Sequence, residues 1–537
     1  MPSPAGTPLL NIAGRLARFR TAWEGLTSDP WILQTITGYR LEWDGHPDSV
    51  ISRITTVPQD VQRATAMDEE IRTLYWKGAI EAVEPTRDQV LSTVFLVPKP
   101  VGVRPVFNLK NLNCVLAKVH FKMEGLPTLF QLLQLGDYMT TIDLKDAYFS
   151  IPIAVEDRKY LRFQYRNQTW QFTCMPFGLT AAPRVYTKIS KPLIAFLRSK
   201  GVRLTIFLDD ICIVADSQAR CAQHTSMTVR LFQELGFVIN GDKSQLNPMQ
   251  RVKYLGFQID STDMTTYLGQ EKQQQVRDRV SALLRTSTPT IRQVARVVGT
   301  LVAVFPAVTK GPFCYRHLEK EKSEAVKSQG SFKGLMTLSD LAREELKWWR
   351  DNLASAHGRP IRPPPVDIIL VSDASTEGWG AHLLEENGNQ GQRTAGRWSP
   401  EEQEDHINIL ELRAAWFGIQ SLLAHHTGCH IQLRMDNSSA VAYVNRLGGC
   451  HSQRLDDLAS TMWHWAWSKD NHLSAVHIPG VSNTLADTLS RRFQDRLEWK
   501  LDPRLFQRLC GELLRIILLM AIVKQYVVSS IVLMALI

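Results

Sequence analysis

Two adjacent carboxylates interrupt an apolar run, Leu204-Thr205-Ile206-Phe207-Leu208-Asp209-Asp210-Ile211-Cys212-Ile213-Val214. Strand-forming residues flank the acidic pair on both sides, which predicts a β-hairpin with the acids at or near its turn. Two negative charges side by side in an apolar setting are costly unless something neutralises them. A bound divalent cation would do so, and nucleotidyl transfer by two metal ions needs such carboxylates. The competing reading is a solvated surface turn, where Asp is common.

The chain has 537 residues, 44% hydrophobic and 21% charged, which predicts three or four globular domains and excludes a disordered chain. A formal charge of +9 fits a polyanionic partner. Eight cysteines form no CxxC pair, so neither a disulfide framework nor a zinc ribbon is indicated and a reducing compartment is expected. His425, His426, Cys429 and His430 crowd together, but a solvated helix end competes with a metal site there. The start of the chain carries no charged-then-apolar signal sequence. The expected location is intracellular, in cytoplasm and/or nucleus, and not secreted. Residues 513–537 are almost wholly apolar, broken by Arg515 and by Lys524-Gln525. A central Lys is costly in a bilayer. A docked helix, a tail anchor and a non-native end from a truncated or shifted reading frame compete, and the last is favoured. Membrane contact is not expected elsewhere.

Residues 1–60 form a leader rich in Pro, Gly and Trp, centred on Gly14-Arg15-Leu16 with Trp23 and Trp31. This leader is expected to be a docked extension rather than a domain. Asp68 to Ile80 reads as an amphipathic helix with Ile71, Leu74, Tyr75 and Ile80 on one face. Val94 to Lys99 and Arg104 to Asn108 read as a hairpin turning at Gly102. The text is helical from Gln270 to His357, with Trp348-Trp349 as core. Arg362-Pro363-Pro364-Pro365 breaks regular structure and marks the clearest linker. A new α/β pattern runs from Val366 to about Phe493.

A further acid, Asp143, follows the β-type run Thr140-Thr141-Ile142 and precedes a turn. At a strand end it can meet the Asp209-Asp210 hairpin across a sheet, and three carboxylates could hold two Mg²⁺. These segments resemble the palm of reverse transcriptases. Asp143 matches the first catalytic aspartate of that family, and Phe207-Leu208-Asp209-Asp210 its Tyr-x-Asp-Asp box, with Phe207 replacing the usual Tyr. The resemblance implies that Tyr148 gates against the ribose 2′-hydroxyl and that Lys99 and Arg104 contact the incoming triphosphate. It further implies that Met175 to Pro183, with Phe177, packs under nucleotide and template, and that Tyr254-Leu255-Gly256-Phe257 is the primer grip. Read singly, Asp143 could cap a helix, Lys99 and Arg104 could be surface charges, and Tyr148 a core aromatic.

A second acidic set lies beyond the Pro run. Asp373 ends an apolar strand, Glu411 sits inside the apolar stretch of a helix, Asp436 ends another strand, and Asp487 lies in Asn483-Thr484-Leu485-Ala486-Asp487. Four acids on strand, helix, strand and helix can converge at one sheet edge and supply a second two-Mg²⁺ site, for hydrolysis. Asp436 or Asn437 could instead cap the next helix. The order Asp373, Glu411, Asp436, Asp487 resembles the acidic set of ribonuclease H. Many relatives carry a mobile histidine before the last Asp; His477 lies too early to align with it, and Asn483 is placed to orient the loop or the substrate. Trp463, Trp465 and Trp467 are read as core, with a base-stacking platform left open.

The resemblance covers about residues 60–495 and implies an α+β multidomain chain, a right-hand polymerase followed by an α/β ribonuclease H-like domain. The expected division is an N-terminal extension (1–60), fingers and palm (61–262), helical thumb and connection (263–362), ribonuclease H domain (363–495) and the apolar tail (496–537). Gly14-Arg15-Leu16, Glu345-Leu346-Lys347-Trp348-Trp349 and His406-Ile407-Asn408-Ile409-Leu410-Glu411 resemble DIRS-type retrotransposon polyproteins. The implied activity is RNA-directed DNA synthesis with hydrolysis of the RNA strand of hybrids. Catalysis would use two Mg²⁺ per site, with Mn²⁺ as an alternative, and the partners would be RNA template, DNA primer, RNA–DNA hybrid and dNTPs. A catalytically silent nucleic-acid-binding relic and a ribonuclease H with an inactive polymerase scaffold are the rival readings.

Overall fold

The computed structural model describes residues 11–58, 60–98, 102–355, 358–385 and 389–492. Lys99 and the apolar tail lie outside the described residues. The chain divides into two compact units between Tyr267 and Leu268.

The first unit is organised around a four-stranded antiparallel sheet in the order Arg203–Phe207, Asp210–Ala215, Tyr138–Asp143, Gln245–Met249. Ile211-Cys212-Ile213-Val214 is buried at every position, the mark of a strand covered on both faces. Helix Gln218–Glu234 packs on the two central strands. Helix Ala182–Ser199 buries Val185, Tyr186, Ile189, Leu193 and Leu197, one apolar stripe at helical spacing. The leader docks on this same core: Leu16 and Trp23 are fully buried, and Trp23 Nε1 donates to the Leu235 carbonyl at 3.0 Å.

The Thr93–Pro98 and Val103–Asn108 strands form the expected hairpin, which pairs Val97 with Arg104. The amphipathic helix, by contrast, runs from Val61 to Trp76 rather than from Asp68 to Ile80. Asp60 caps it by accepting from Gln62 N at 3.0 Å, and Gly78, at φ +69°, takes the left-handed conformation just past its end. Ile80 therefore opens a strand paired with Phe172, and Tyr75 is half exposed. Stop signals outrank face periodicity here.

The second unit begins with helices Gln270–Leu284, Ile291–Val302, Arg316–Gln329 and Asp340–Asn352. Trp349 is fully buried and donates from Nε1 to the Cys314 carbonyl at 2.6 Å, while Trp348 is only partly buried. A mixed five-stranded sheet comes next, in the order Gln390–Arg397, Gly378–Leu384, Ile368–Ala374, His430–Met435, His472–His477. The first two pairings are antiparallel and the last two parallel. Helices Ile407–Leu422, Ser438–Asn445, Gln453–Ser468 and Thr484–Arg491 complete the fold. At Gly380 a Cβ would stand 2.4 Å from Leu489 Cβ and 2.7 Å from the Ala486 carbonyl, so only glycine lets the last helix lie this close to the strand.

The Pro run does not divide compact units. It is irregular, yet the Pro364 carbonyl lies 2.7 Å from His430 Nδ1. Across it, Arg316 Nη2 donates to the carbonyls of Arg446 and Gly448 at 2.6 and 3.1 Å, and Phe313 meets Trp467 edge-on at 5.2 Å. Proline interrupts backbone hydrogen bonding without interrupting side-chain packing, so the helices before it belong with the sheet after it.

Candidate active sites

The predicted hairpin forms, with Phe207 paired to Asp210 and Leu208-Asp209 as its two-residue turn. Leu208 has φ +54°, in the left-handed region that a branched side chain enters at a cost of about 1–3 kcal/mol. The turn is held by Leu144 N, which donates to the Asp209 carbonyl at 3.0 Å. Asp143 ends the neighbouring strand directly opposite Asp210, so register sets these two acids side by side, with Asp209 next to them in the turn.

Burial raises Asp209 above the ordinary carboxylate range, and Asp143 adds to the shift. Burial, then repulsion from Asp209 and Asp143, pushes Asp210 up to about 6, with Lys243 opposing. Asn240 Nδ2 donates to Asp143 Oδ1 at 2.6 Å, and Ser244 Oγ accepts from Asp143 N at 3.0 Å. Neither residue figured among the sequence candidates; the only available signal was their place in the turn-rich Asn240-Gly241-Asp242-Lys243-Ser244. The carboxylate oxygens of Asp143, Asp209 and Asp210 are not drawn within 4.8 Å of one another as those of the trio in the second unit are, but neighbouring carboxylates in a half-buried setting are the donor type that a hard divalent cation takes.

Tyr148 lies against Phe177 at 5.4 Å and, edge-on, against fully buried Tyr186 at 5.7 Å. Burial pushes the Tyr148 hydroxyl up to about 12, with the Asp209 charge adding. Phe177 is 48% exposed. Its segment is tied down by Asn113, which donates to the Gly178 carbonyl at 2.8 Å and accepts from Thr180 N at 2.9 Å. Tyr254 pairs with Phe257 across a two-residue turn, and its hydroxyl donates to the Asp210 carbonyl at 3.3 Å. Arg104 is exposed on its hairpin.

The second unit gathers Asp373, Glu411 and Asp436, whose carboxylate oxygens lie within 4.8 Å of one another. Asp373 belongs to the central strand and Glu411 to the Ile407–Leu422 helix, and both are buried. The capping question resolves by division of labour. Asn437 caps the next helix by accepting from Ala440 N at 3.0 Å, while Asp436 turns to the cluster. Burial, then the charges of Asp373 and Asp436, push Glu411 up to about 9. Burial also raises Asp373 to about 6, against a donated hydrogen bond from Ser490 Oγ at 2.8 Å. Among the described residues Glu411 Oε2 has no hydrogen-bond partner although it is buried, a state that a coordinated cation would relieve.

Asp487 stands apart from this trio. It lies on the last helix, 44% exposed, and accepts from Arg491 Nε at 2.6 Å. Asn483 is buried and donates from Nδ2 to Asp373 Oδ1 at 3.0 Å and to the Ser372 carbonyl at 3.1 Å, so it orients the aspartate. His477 is exposed at a strand end. Both ring nitrogens of His430 are engaged, by the Pro364 carbonyl and by Ser474 Oγ at 2.7 Å. Trp463 is buried and bonds the Val444 carbonyl, Trp467 packs on it at 5.6 Å, and Trp465 meets Trp416 at 6.0 Å. All three indoles serve the core.

Residues 97–259, which contain all three acids of the first site, match the family model described as "Reverse transcriptase (RNA-dependent DNA polymerase)". The chain is also similar to the genome polyprotein of Petunia vein clearing virus (isolate Shepherd), 24% identical over 84% of this chain and 20% of that polyprotein. It is 21% identical to the enzymatic polyprotein of Cauliflower mosaic virus (strain Strasbourg) over 77% of this chain and 59% of that one. It thus spans only part of the length of these curated relatives. A solved foamy viral protease–reverse transcriptase in complex with RNA/DNA hybrid is 14% identical, with a TM-score of 0.49, covering 94% of this chain and 67% of that one.

Proposed function

We propose that this chain is an RNA-directed DNA polymerase that also hydrolyses the RNA strand of RNA–DNA hybrids, and that it derives from a DIRS-type retrotransposon. The observation that carries the reading is the cross-strand pairing of Asp143 with Asp210, beside Asp209 in its turn, inside the stretch that matches the reverse transcriptase model. Residues 61–262 act as fingers and palm, 263–362 as thumb and connection, and 363–495 as the ribonuclease H domain.

Asp143, Asp209 and Asp210 hold Mg²⁺ in the first site, and Asp373, Glu411 and Asp436 in the second, which Asp487 completes after release from Arg491. Bound divalent ions lower the pKa of the attacking hydroxyl or water and neutralise the leaving group. The protein does the rest by position. Arg104, with Lys99, receives the triphosphate of the incoming dNTP. Phe177 offers an exposed ring to the nucleotide and template. Tyr148, wedged between Phe177 and Tyr186, closes the space a ribose 2′-hydroxyl would need. Tyr254 fixes the primer-side turn to the acidic strand through the Asp210 carbonyl.

Mg²⁺-dependent extension of an oligo(dT) primer on poly(A) is the deciding assay. Folded protein that incorporates no dTTP refutes the polymerase reading. Release of RNA fragments from a labelled hybrid tests the second activity, and Asp436→Asn should abolish it while extension continues. Tyr148→Ala should raise ribonucleotide use relative to deoxynucleotide use by about a hundredfold in kcat/KM, about 2.7 kcal/mol of lost discrimination. Unchanged sugar selectivity would remove Tyr148 from the gate.

A further inference from the structure

A cavity of about 350 Å³ opens in the second unit between helix Arg316–Gln329 and the loop before helix Gln453–Ser468. Arg316, Lys320, Ser323 and Lys327 recur at positions i, i+4, i+7 and i+11, so one face of the helix lines it. His451 and Gln453 face them from the other side. Apart from the imidazoles of His317 and His451, no aromatic or branched aliphatic side chain is among the lining residues, so the cavity offers little apolar surface. Beside two acids, Glu324 and Asp456, its polar groups include the donors of Lys320, Ser323 and Lys327, the complement of phosphate oxygens.

The walls are fixed. Arg316 bonds the Arg446 and Gly448 carbonyls, and Asp456 accepts from Gly449 N at 2.9 Å. Asp456 is thereby engaged in holding the loop, and the other acid of the lining, Glu324, is exposed. Glu345, 3.0 Å from His317 Nδ1, raises that ring above its ordinary pKa. Lys320 Nζ donates to the neutral Gln453 at 2.6 Å, and Lys327 is exposed.

The loop leads directly back to the second acidic site. Asp436 precedes helix Ser438–Asn445, whose eight residues span about 12 Å at about 1.5 Å per residue, and the loop starts where that helix ends. A duplex advances about 3.4 Å per nucleotide of one strand, so the cavity lies a few nucleotides from the acids. We infer that this cavity binds a backbone phosphate of the nucleic-acid duplex whose RNA strand is cut at Asp373, Glu411 and Asp436, with Lys320 and Lys327 as its mobile cations. The inference rests on the hydrolytic reading proposed above. It also assigns the helix before the Pro run a part in holding substrate for the site after it.

The test compares the full chain with Lys320→Ala/Lys327→Ala on two hybrids, one ending beside the scissile bond and one continuing past it. On the long hybrid the variant should show about a tenfold higher KM with kcat unchanged, and the slope of log affinity against log salt should fall by about 1, as expected for one lost phosphate contact. The short hybrid should be cut equally by both proteins. Equal KM values on the long hybrid, or an equal loss on both hybrids, overturn the proposal. Fluorescence anisotropy reads binding without cleavage: a parent that binds with the steeper slope but never cuts refutes the hydrolytic reading while sustaining the phosphate site.

Discussion

Asp209→Asn will abolish DNA synthesis and leave hybrid cleavage at the parental rate. The substitution preserves shape, and the bond from Leu144 N to the residue 209 carbonyl belongs to the backbone, so the turn survives. What disappears is the negative charge that the turn holds beside the cross-strand pair of Asp143 and Asp210. Loss of that ligand should slow extension at least about a thousandfold, about 4 kcal/mol or more in the barrier. The proposed cleavage would depend on acids carried by the other compact unit. A second readout needs no catalysis. Because Asp209 repulsion helps raise Asp210 to about 6, the variant's Asp210 should titrate lower in metal-free protein, read by carboxyl-carbon NMR. Extension within an order of magnitude of the parent would remove Asp209 from the site.

Glu411→Gln should produce the opposite functional split and a stability change with a definite sign. Hybrid cleavage should fall at least about a thousandfold while primer extension persists. In the parent, Glu411 holds its proton up to about 9 when folded, against an ordinary value of 4.5. Its folded-state pKa is raised, so the associated stability is fully present below about 4.5 and is lost as pH climbs through 9. Glutamine has no proton to lose. In the presence of EDTA the parent's second unit should therefore melt several degrees lower at pH 8.5 than at pH 6, at about 2–4 °C per kcal/mol, and the variant should be flatter and melt higher at pH 8.5. Mg²⁺ should raise the parent's melting temperature more than the variant's. A parent whose melting temperature ignored both pH and Mg²⁺ would contradict the buried carboxylate cluster.

The legible parts of both sites share one property: short-range pattern. Alternation and β-branching around Asp209-Asp210 specify a hairpin, and a strand ending at Asp143 needs only antiparallel pairing to reach it. The acids at Asp373, Glu411 and Asp436 sit at strand ends and on a helix whose packing arises from apolar periodicity. Asn240 and Ser244 were not legible, because their role depends on a loop folding back against Asp143. The engagement of Asp487 by Arg491 was within reach, since a pair four residues apart on a helix faces itself.

Local sequence determined the acidic turn, the identity of the carboxylates and the succession of α/β, helical and α/β text, because each depends on residues within a few positions. Tertiary structure alone decided where the compact units divide. It placed the boundary at Tyr267 and Leu268 rather than at the Pro run, since Arg316 and Phe313 pack across the prolines. It also decided which acids meet and how far their protons are held, because burial and mutual repulsion exist only once distant strands and helices have closed around them.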